Sequence, residues 1–164
     1  MIFVSTGSRS FGFDRLIKAV DAAAEQLSLL RGEVFAQTGT SKYEPKHIDF
    51  AHFLDHETFM RYIDECDILI AHAAAGVMIS AFHKHKKIIA VPRLKEYGEL
   101  IDDHQKELAI ALAEKNYMFY LDDLSQMTDA IIRIRDHKFD AYTCESDAIA
   151  DVIDDYLETN VRKT

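Results

Sequence analysis

With 164 residues, 48% of them apolar and 29% charged, the chain can bury one ordinary hydrophobic core and is too apolar to stay disordered. A formal net charge of -9 argues against a nucleic-acid partner, leaving one local basic turn at Lys84, Lys86 and Lys87 with His83 and His85 beside it. No apolar run approaches the roughly 18 residues of a membrane span, Met1 leads straight into Ile2-Phe3-Val4 without a leader pattern, and two cysteines, Cys66 and Cys144, suit reduced thiols in a cytoplasmic protein.

Ile2 to Thr6 reads as a short apolar strand, followed by a turn over Gly7 to Gly12. From Phe13 to Leu30, apolar residues recur at helical spacing (Leu16, Ile17, Val20, Ala23, Ala24, Leu27), and Gly32 closes that helix. Glu33 to Gln37 is a second strand ending in the polar loop Thr38-Gly39-Thr40-Ser41, and His47 to Leu54 a third, weaker one. Glu57 to Glu65 is a short helix turning Phe59, Met60, Tyr62 and Ile63 inward. Ile68 to Ala71 is a fourth strand; a helix begins near Gly76, and Lys87 to Val91 is the fifth strand. Leu100 to Lys115 is a helix with Leu108, Ala109, Leu112 and Ala113 on one face, Tyr117 to Tyr120 a sixth strand, and Asp122 or Asp123 caps a helix to about Arg135. Ser146 caps a last helix to about Asn160, striped by Ile149, Val152, Ile153, Tyr156 and Leu157. Alternating strands and helices, with no repeat or linker, predict a single α/β domain over residues 1–164 with a Rossmann-like, mostly parallel sheet flanked by helices.

In such sheets, ligands bind beyond the carboxyl ends of the strands. Three polar clusters fall there. The first is His72-Ala73-Ala74-Ala75-Gly76-Val77, a small-residue loop entering a helix, with Ser80 one turn on. It reads either as an anion site, where backbone N–H groups and the helix dipole meet a phosphate, or as a tightly packed turn. The second is Arg93, Glu96, Glu99, Asp102, Asp103, His104 and Gln105. Carboxylate beside amide suits sugar or ribose hydroxyls, but acids are also at home in the first turn of any helix. The third pairs Thr6-Gly7-Ser8 with Thr38-Gly39, both offering hydroxyls at strand ends, or forming plain turns. The histidines lack ligand spacing, so no metal is expected, nor any cofactor. A nucleophile elbow, a Walker loop, a Cys-x-x-Cys pair and the dinucleotide fingerprint are all missing.

In combination these blocks resemble the C-terminal, donor-binding half of family-28 glycosyltransferases, in the small free-standing form of bacterial exopolysaccharide and capsule synthesis. The soluble subunit of the two-part N-acetylglucosaminyltransferase of dolichol-linked glycan assembly is a relative. The matching residues are Ile2-Phe3-Val4 with Thr6-Gly7; Phe13 to Asp21; Ala36-Gln37-Thr38-Gly39 with Tyr43 and Pro45; Asp67 to His72; and Val91-Pro92-Arg93, Gly98-Glu99 and Asp102 to Gln105.

The resemblance implies a GT-B half-fold binding a UDP-sugar, with His72 to Val77 against the diphosphate and Asp103, His104 and Gln105 facing sugar or ribose. It implies a hexosyltransferase that inverts the anomeric centre and needs a membrane-anchored, acceptor-binding partner subunit and a lipid-linked acceptor. The chain would then sit in the cytoplasm, held at the inner face of the membrane through that partner, with residues 146–160 a candidate docking helix. Three departures stand out: Ala74 replaces a loop glycine and is tolerable only at negative φ, Val77 replaces a hydroxyl residue, and Ser80 stands where many relatives have a ribose-binding Glu. Two alternatives follow: a non-catalytic scaffold subunit with a decayed donor site, or a nucleotide N-glycosidase, whose Pro and paired glycines are missing before Gly76.

Overall fold

The computed structural model describes residues 1–7, 11–99 and 104–142. Strands β1 (Ile2–Ser5), β2 (Val34–Gln37), β3 (Asp49–Ala51), β4 (Ile68–His72), β5 (Lys87–Val91) and β6 (Phe119–Tyr120) alternate with helices α1 (Asp14–Gln26), α2 (His56–Glu65), α3 (Ala75–His83), α4 (His104–Glu114) and α5 (Met127–Asp136). Among the described residues the strands form one sheet in the order β3-β2-β1-β4-β5-β6, every pair parallel. This is the Rossmann-like α/β fold the sequence predicts. The expected helix over residues 146–160 lies outside the described residues, and no described helix is long and apolar enough to cross a membrane.

Alternation along the strands divides the core into two layers. Ile2, Val4, Ile70, Ile89 and Val91 face α1 and α5, meeting Leu16, Ile17, Val20, Ile131 and Ile134. Phe3, Leu69, Ala71, Ile88 and Ala90 face the other way, toward Ile63 of α2, Met78 and Phe82 of α3 and Leu108 and Leu112 of α4. Helices cover both faces, so the central strands are apolar at nearly every position. Each Val, Leu, Ile, Phe or Met among them contributes about 1.5–3 kcal/mol by its burial. On α2 only Ile63 is fully buried; Phe59, Met60 and Tyr62 are half-buried. Tyr62 stacks on Phe3 and Phe35, its ring centroid 5.2 and 4.3 Å from theirs.

Three element ends differ from expectation, each for a local reason. α1 stops at Gln26 because Ser28 turns left-handed (φ 52°), which leaves Leu30 72% exposed. Only Asp49–Ala51 of the weak third strand pairs with β2. Asp123 does cap, but it caps a 3-10 turn over Leu124–Gln126, and α5 follows from Met127.

The chain runs outward from β1 to β2 and β3, then returns to build β4, β5 and β6 on the other side. The order therefore reverses between β1 and β4. In open α/β sheets that reversal, at the carboxyl ends of the strands, is where ligands bind.

Candidate functional site

The loops after β1, β2 and β4 meet at one point, and two glycines make the meeting possible. Gly7 has φ +82°, and a Cβ there would lie 2.6 Å from Cε1 of His72. Gly39 has φ +58°, and its Cβ would lie 2.8 Å from the carbonyl oxygen of Gly7. Any side chain at either position would collide with the neighbouring loop. His72 is half-buried against this backbone, its Nδ1 3.3 Å from the Ser5 carbonyl. Thr6, Gly7, Thr38, Gly39 and His72 are thus gathered as the sequence suggested, while Ser8 lies outside the described residues.

The threonines act differently from expectation. Thr6 donates both its N–H and its Oγ1 to the Gln37 carbonyl, at 3.1 and 3.0 Å. Thr38 Oγ1 lies 3.4 Å from the Ala51 carbonyl and 3.2 Å from Nδ1 of His52. Both residues are buried. Their hydroxyls lace the loops to the sheet; they are not held out to a ligand.

The loop after β4 is built from backbone. Ala73 is buried, and Ala74 is extended at φ -94°, ψ 127°, so its methyl group is unstrained where the resembling family carries glycine. α3 begins at Ala75, and no side chain caps it. Gly76 is exposed, with no atom within 4 Å of the place a Cβ would occupy. The N–H groups of the first turn of α3 have no intrahelical partner, and together with the positive end of the helix dipole they are what this loop can offer an anion. Val77 packs against the core, and Ser80 Oγ donates to the Gly76 carbonyl at 2.9 Å. Neither offers a hydroxyl to such an anion.

The segment after β5 is a strap tied to the loop after β1 and to α1. Arg93 is 2% exposed; its Nη2 donates to the Thr6 carbonyl and its Nη1 lies 3.4 Å from the Glu99 carbonyl. Glu99 is 5% exposed, and its carboxylate accepts from Arg15 Nε at 2.8 Å, Arg15 Nη2 at 2.9 Å and the Leu94 N–H at 3.1 Å. Arg15 Nη2 also donates to the Pro92 carbonyl at 2.6 Å. Phe13 lies between the two guanidiniums, 5.0 Å from Arg15 and 5.4 Å from Arg93, and the exposed Tyr97 lies 4.9 Å from Arg15. Burial and internal partners turn the side chains of Arg93 and Glu99, both expected among the donor-binding residues, into the protein. Asp103 lies outside the described residues, and His104 and Gln105 open α4.

Sequence reasoning missed the supports. Asp21 accepts from Tyr43 Oη at 2.7 Å, the Lys46 N–H at 3.0 Å and the His47 N–H at 2.8 Å. Burial raises its pKa, but the Lys46 N–H, the Tyr43 hydroxyl and the His47 N–H outweigh burial and hold the carboxyl below its ordinary value. Asp14 Oδ1 accepts from the Lys42 N–H at 2.8 Å, and Ser41 Oγ from the Phe13 N–H at 2.8 Å. Together they pin the loop after β2 to α1. The signal for Asp21 was available: it is an acid four residues after Ile17 and three before Ala24, inside the buried stripe of α1. Elsewhere, burial pushes the Cys66 thiol up to about 11, so that thiol is no nucleophile at neutral pH.

The family model described as glycosyltransferase family 28 C-terminal domain matches residues 1–155. The chain is 27% identical over 103 residues to the UDP-N-acetylglucosamine transferase subunit ALG13 of Candida albicans, covering 62% of this chain and 34% of that protein. It is 30% identical over 127 residues to the human protein of the same name, covering 73% of this chain and 11% of that one. The chain thus spans about a third of one curated relative and about a tenth of the other. Among solved structures it is similar to the glycotransferase of kitacinnamycin, with TM-score 0.64 and 12% identity over 83% of this chain and 34% of that one. It is also similar to MurG of Acinetobacter baumannii, with TM-score 0.59 and 18% identity over 82% of this chain and 41% of that one. At these identities the likeness is one of fold.

Proposed function

Since the chain belongs to the glycosyltransferase family 28 C-terminal domain family, we propose that it is the donor-binding subunit of a two-component, inverting hexosyltransferase that takes a UDP-sugar. The diphosphate lies over Gly76, where the N–H groups of Ala75, Gly76 and Val77 and the dipole of α3 take up the charge that grows as the diphosphate leaves. His72 and Gly7 form the wall on the β1 side, and Asp103, His104 and Gln105 take the sugar. The displacement needs a base on the acceptor hydroxyl, and that base and the acceptor come from a membrane-anchored partner subunit carrying a lipid-linked sugar. Through that partner the chain works at the cytoplasmic face of a membrane, in polysaccharide synthesis. Both curated relatives are named as UDP-N-acetylglucosamine transferase subunits, which supports a UDP-sugar and a partner.

The observation that carries this reading is the uncapped start of α3, with Gly76 exposed, at the strand-order reversal. Calorimetric titration with UDP and a panel of UDP-sugars tests it. Saturable binding supports a donor site; no binding of UDP or of any UDP-sugar would refute it.

One observation favours a scaffold subunit instead: Val77 faces the core and Ser80 bonds to Gly76, so the loop offers the phosphate no hydroxyl. A lost charge-assisted bond costs about 1.5–3 kcal/mol, which weakens a backbone-built anion site without removing it. Absence of UDP binding together with tight binding to the partner would establish the scaffold reading.

A further inference from the structure

Arg15 belongs to the first turn of α1, yet it closes the strap that follows β5. Its guanidinium meets Glu99 through two nitrogens, at 2.8 and 2.9 Å, and holds the Pro92 carbonyl at 2.6 Å. The strap therefore begins and ends on one side chain, which is 84 residues away in sequence from Glu99. Glu99 is nearly fully buried, and a buried carboxylate without its cation is strongly unfavourable, so this strap conformation depends on Arg15. Arg15 is itself fixed, because Asp14 and the Phe13 N–H anchor the start of α1 to the loop after β2. Arg93 adds a second tie to Thr6.

We propose that Arg15 is a positioning residue for the sugar half of the donor, acting through Glu99; this rests on the donor-binding reading above. The strap leads in sequence to α4, whose first residues, His104 and Gln105, are assigned to the sugar. The diphosphate loop hangs separately from β4 and α3. Removing the Arg15–Glu99 pair lets the strap shift and leaves α3 in place. Lysine does not replace arginine here, because its single ammonium cannot span a carboxylate and a carbonyl in one plane.

The test titrates wild type, Arg15→Lys, Arg15→Met, Glu99→Gln and the Arg15→Met/Glu99→Gln double variant with UDP, UDP-glucose, UDP-galactose and UDP-N-acetylglucosamine. The readout is the gain in affinity of the best sugar over UDP. We expect that gain to fall by about tenfold in each single variant, as for loss of a bidentate pair, with UDP affinity unchanged. The double variant should be no worse than either single one, because the two residues act as a unit. A merely structural role would weaken UDP and UDP-sugar alike, and that equal loss would overturn the proposal. So would an unchanged gain in the variants, or a wild type that binds UDP but gains from no sugar. A wild type that does not bind UDP defeats the donor-binding reading itself. Circular dichroism checks folding, and if Arg15→Met does not fold, Arg15→Lys, which keeps the charge, carries the test.

Discussion

Replacing Gly7 by alanine separates a glycine needed for contact from a glycine needed only for its backbone. At φ +82° an alanine pays left-handed strain of about 1–2 kcal/mol. Its Cβ would also stand 2.6 Å from Cε1 and 2.8 Å from Nε2 of His72, so the ring must swing away and release its contact to the Ser5 carbonyl. That contact adds about 1 kcal/mol. The total, about 2–3 kcal/mol, lowers Tm by about 4–12 °C in a chain of this size. Gly32→Ala is the control: φ is +89°, but nothing lies within 4 Å of its Cβ, so it bears the strain alone. Scanning calorimetry should rank Gly7→Ala clearly below Gly32→Ala. Gly7→Ala should also weaken UDP binding, which Gly32→Ala leaves intact. Equal Tm values for the two variants would refute the claim that the loops after β1 and β4 are pressed together.

Asp21→Asn should cost about 1.5–3 kcal/mol at pH 7, the value of hydrogen bonds to a charged acceptor. Because the folded carboxyl titrates below its ordinary value, that contribution is complete above the unfolded pKa of about 4 and is lost as pH falls through the folded value. Urea melts should therefore show the wild type's advantage shrinking as pH falls below about 4; a constant gap would contradict the role given to its charge. Ala74→Gly should leave UDP affinity unchanged and lower stability by no more than about 1 kcal/mol, since Ala74 already has negative φ. A large gain in affinity would show that the methyl group obstructs the ligand. In a Cys144→Ser background, Cys66 should resist alkylation at about pH 8 until denaturant is added, because its thiol titrates at about 11. Rapid labelling of the folded chain would contradict its burial.

The central strands were legible because each is covered on both faces, so apolar residues run almost unbroken and mark Lys87–Val91 to the residue. The meeting of the loops after β1, β2 and β4 was legible too, since small residues after Ala71 and the paired Thr-Gly loops fall at strand ends. What each polar side chain touches was not. Thr6 and Thr38 look like offered hydroxyls, but their acceptors are main-chain oxygens on neighbouring strands, which no local pattern announces. Arg93 and Glu99 look like ligand residues because charge usually signals exposure; their internal partners, Thr6 for Arg93 and Arg15 for Glu99, lie far away in sequence. The end of α1 was misplaced because Leu27 still packs on the core after the helix has broken, and Leu30 falls at helical spacing although it stands exposed.

The central claim is that the first turn of α3 holds the diphosphate. Amide chemical-shift mapping of the labelled chain with UDP, inorganic diphosphate and uridine tests it most directly. The account predicts that UDP and diphosphate both shift the N–H resonances of Ala75, Gly76 and Val77, and that uridine does not. Shifts confined to other parts of the fold, or none with UDP, would contradict it.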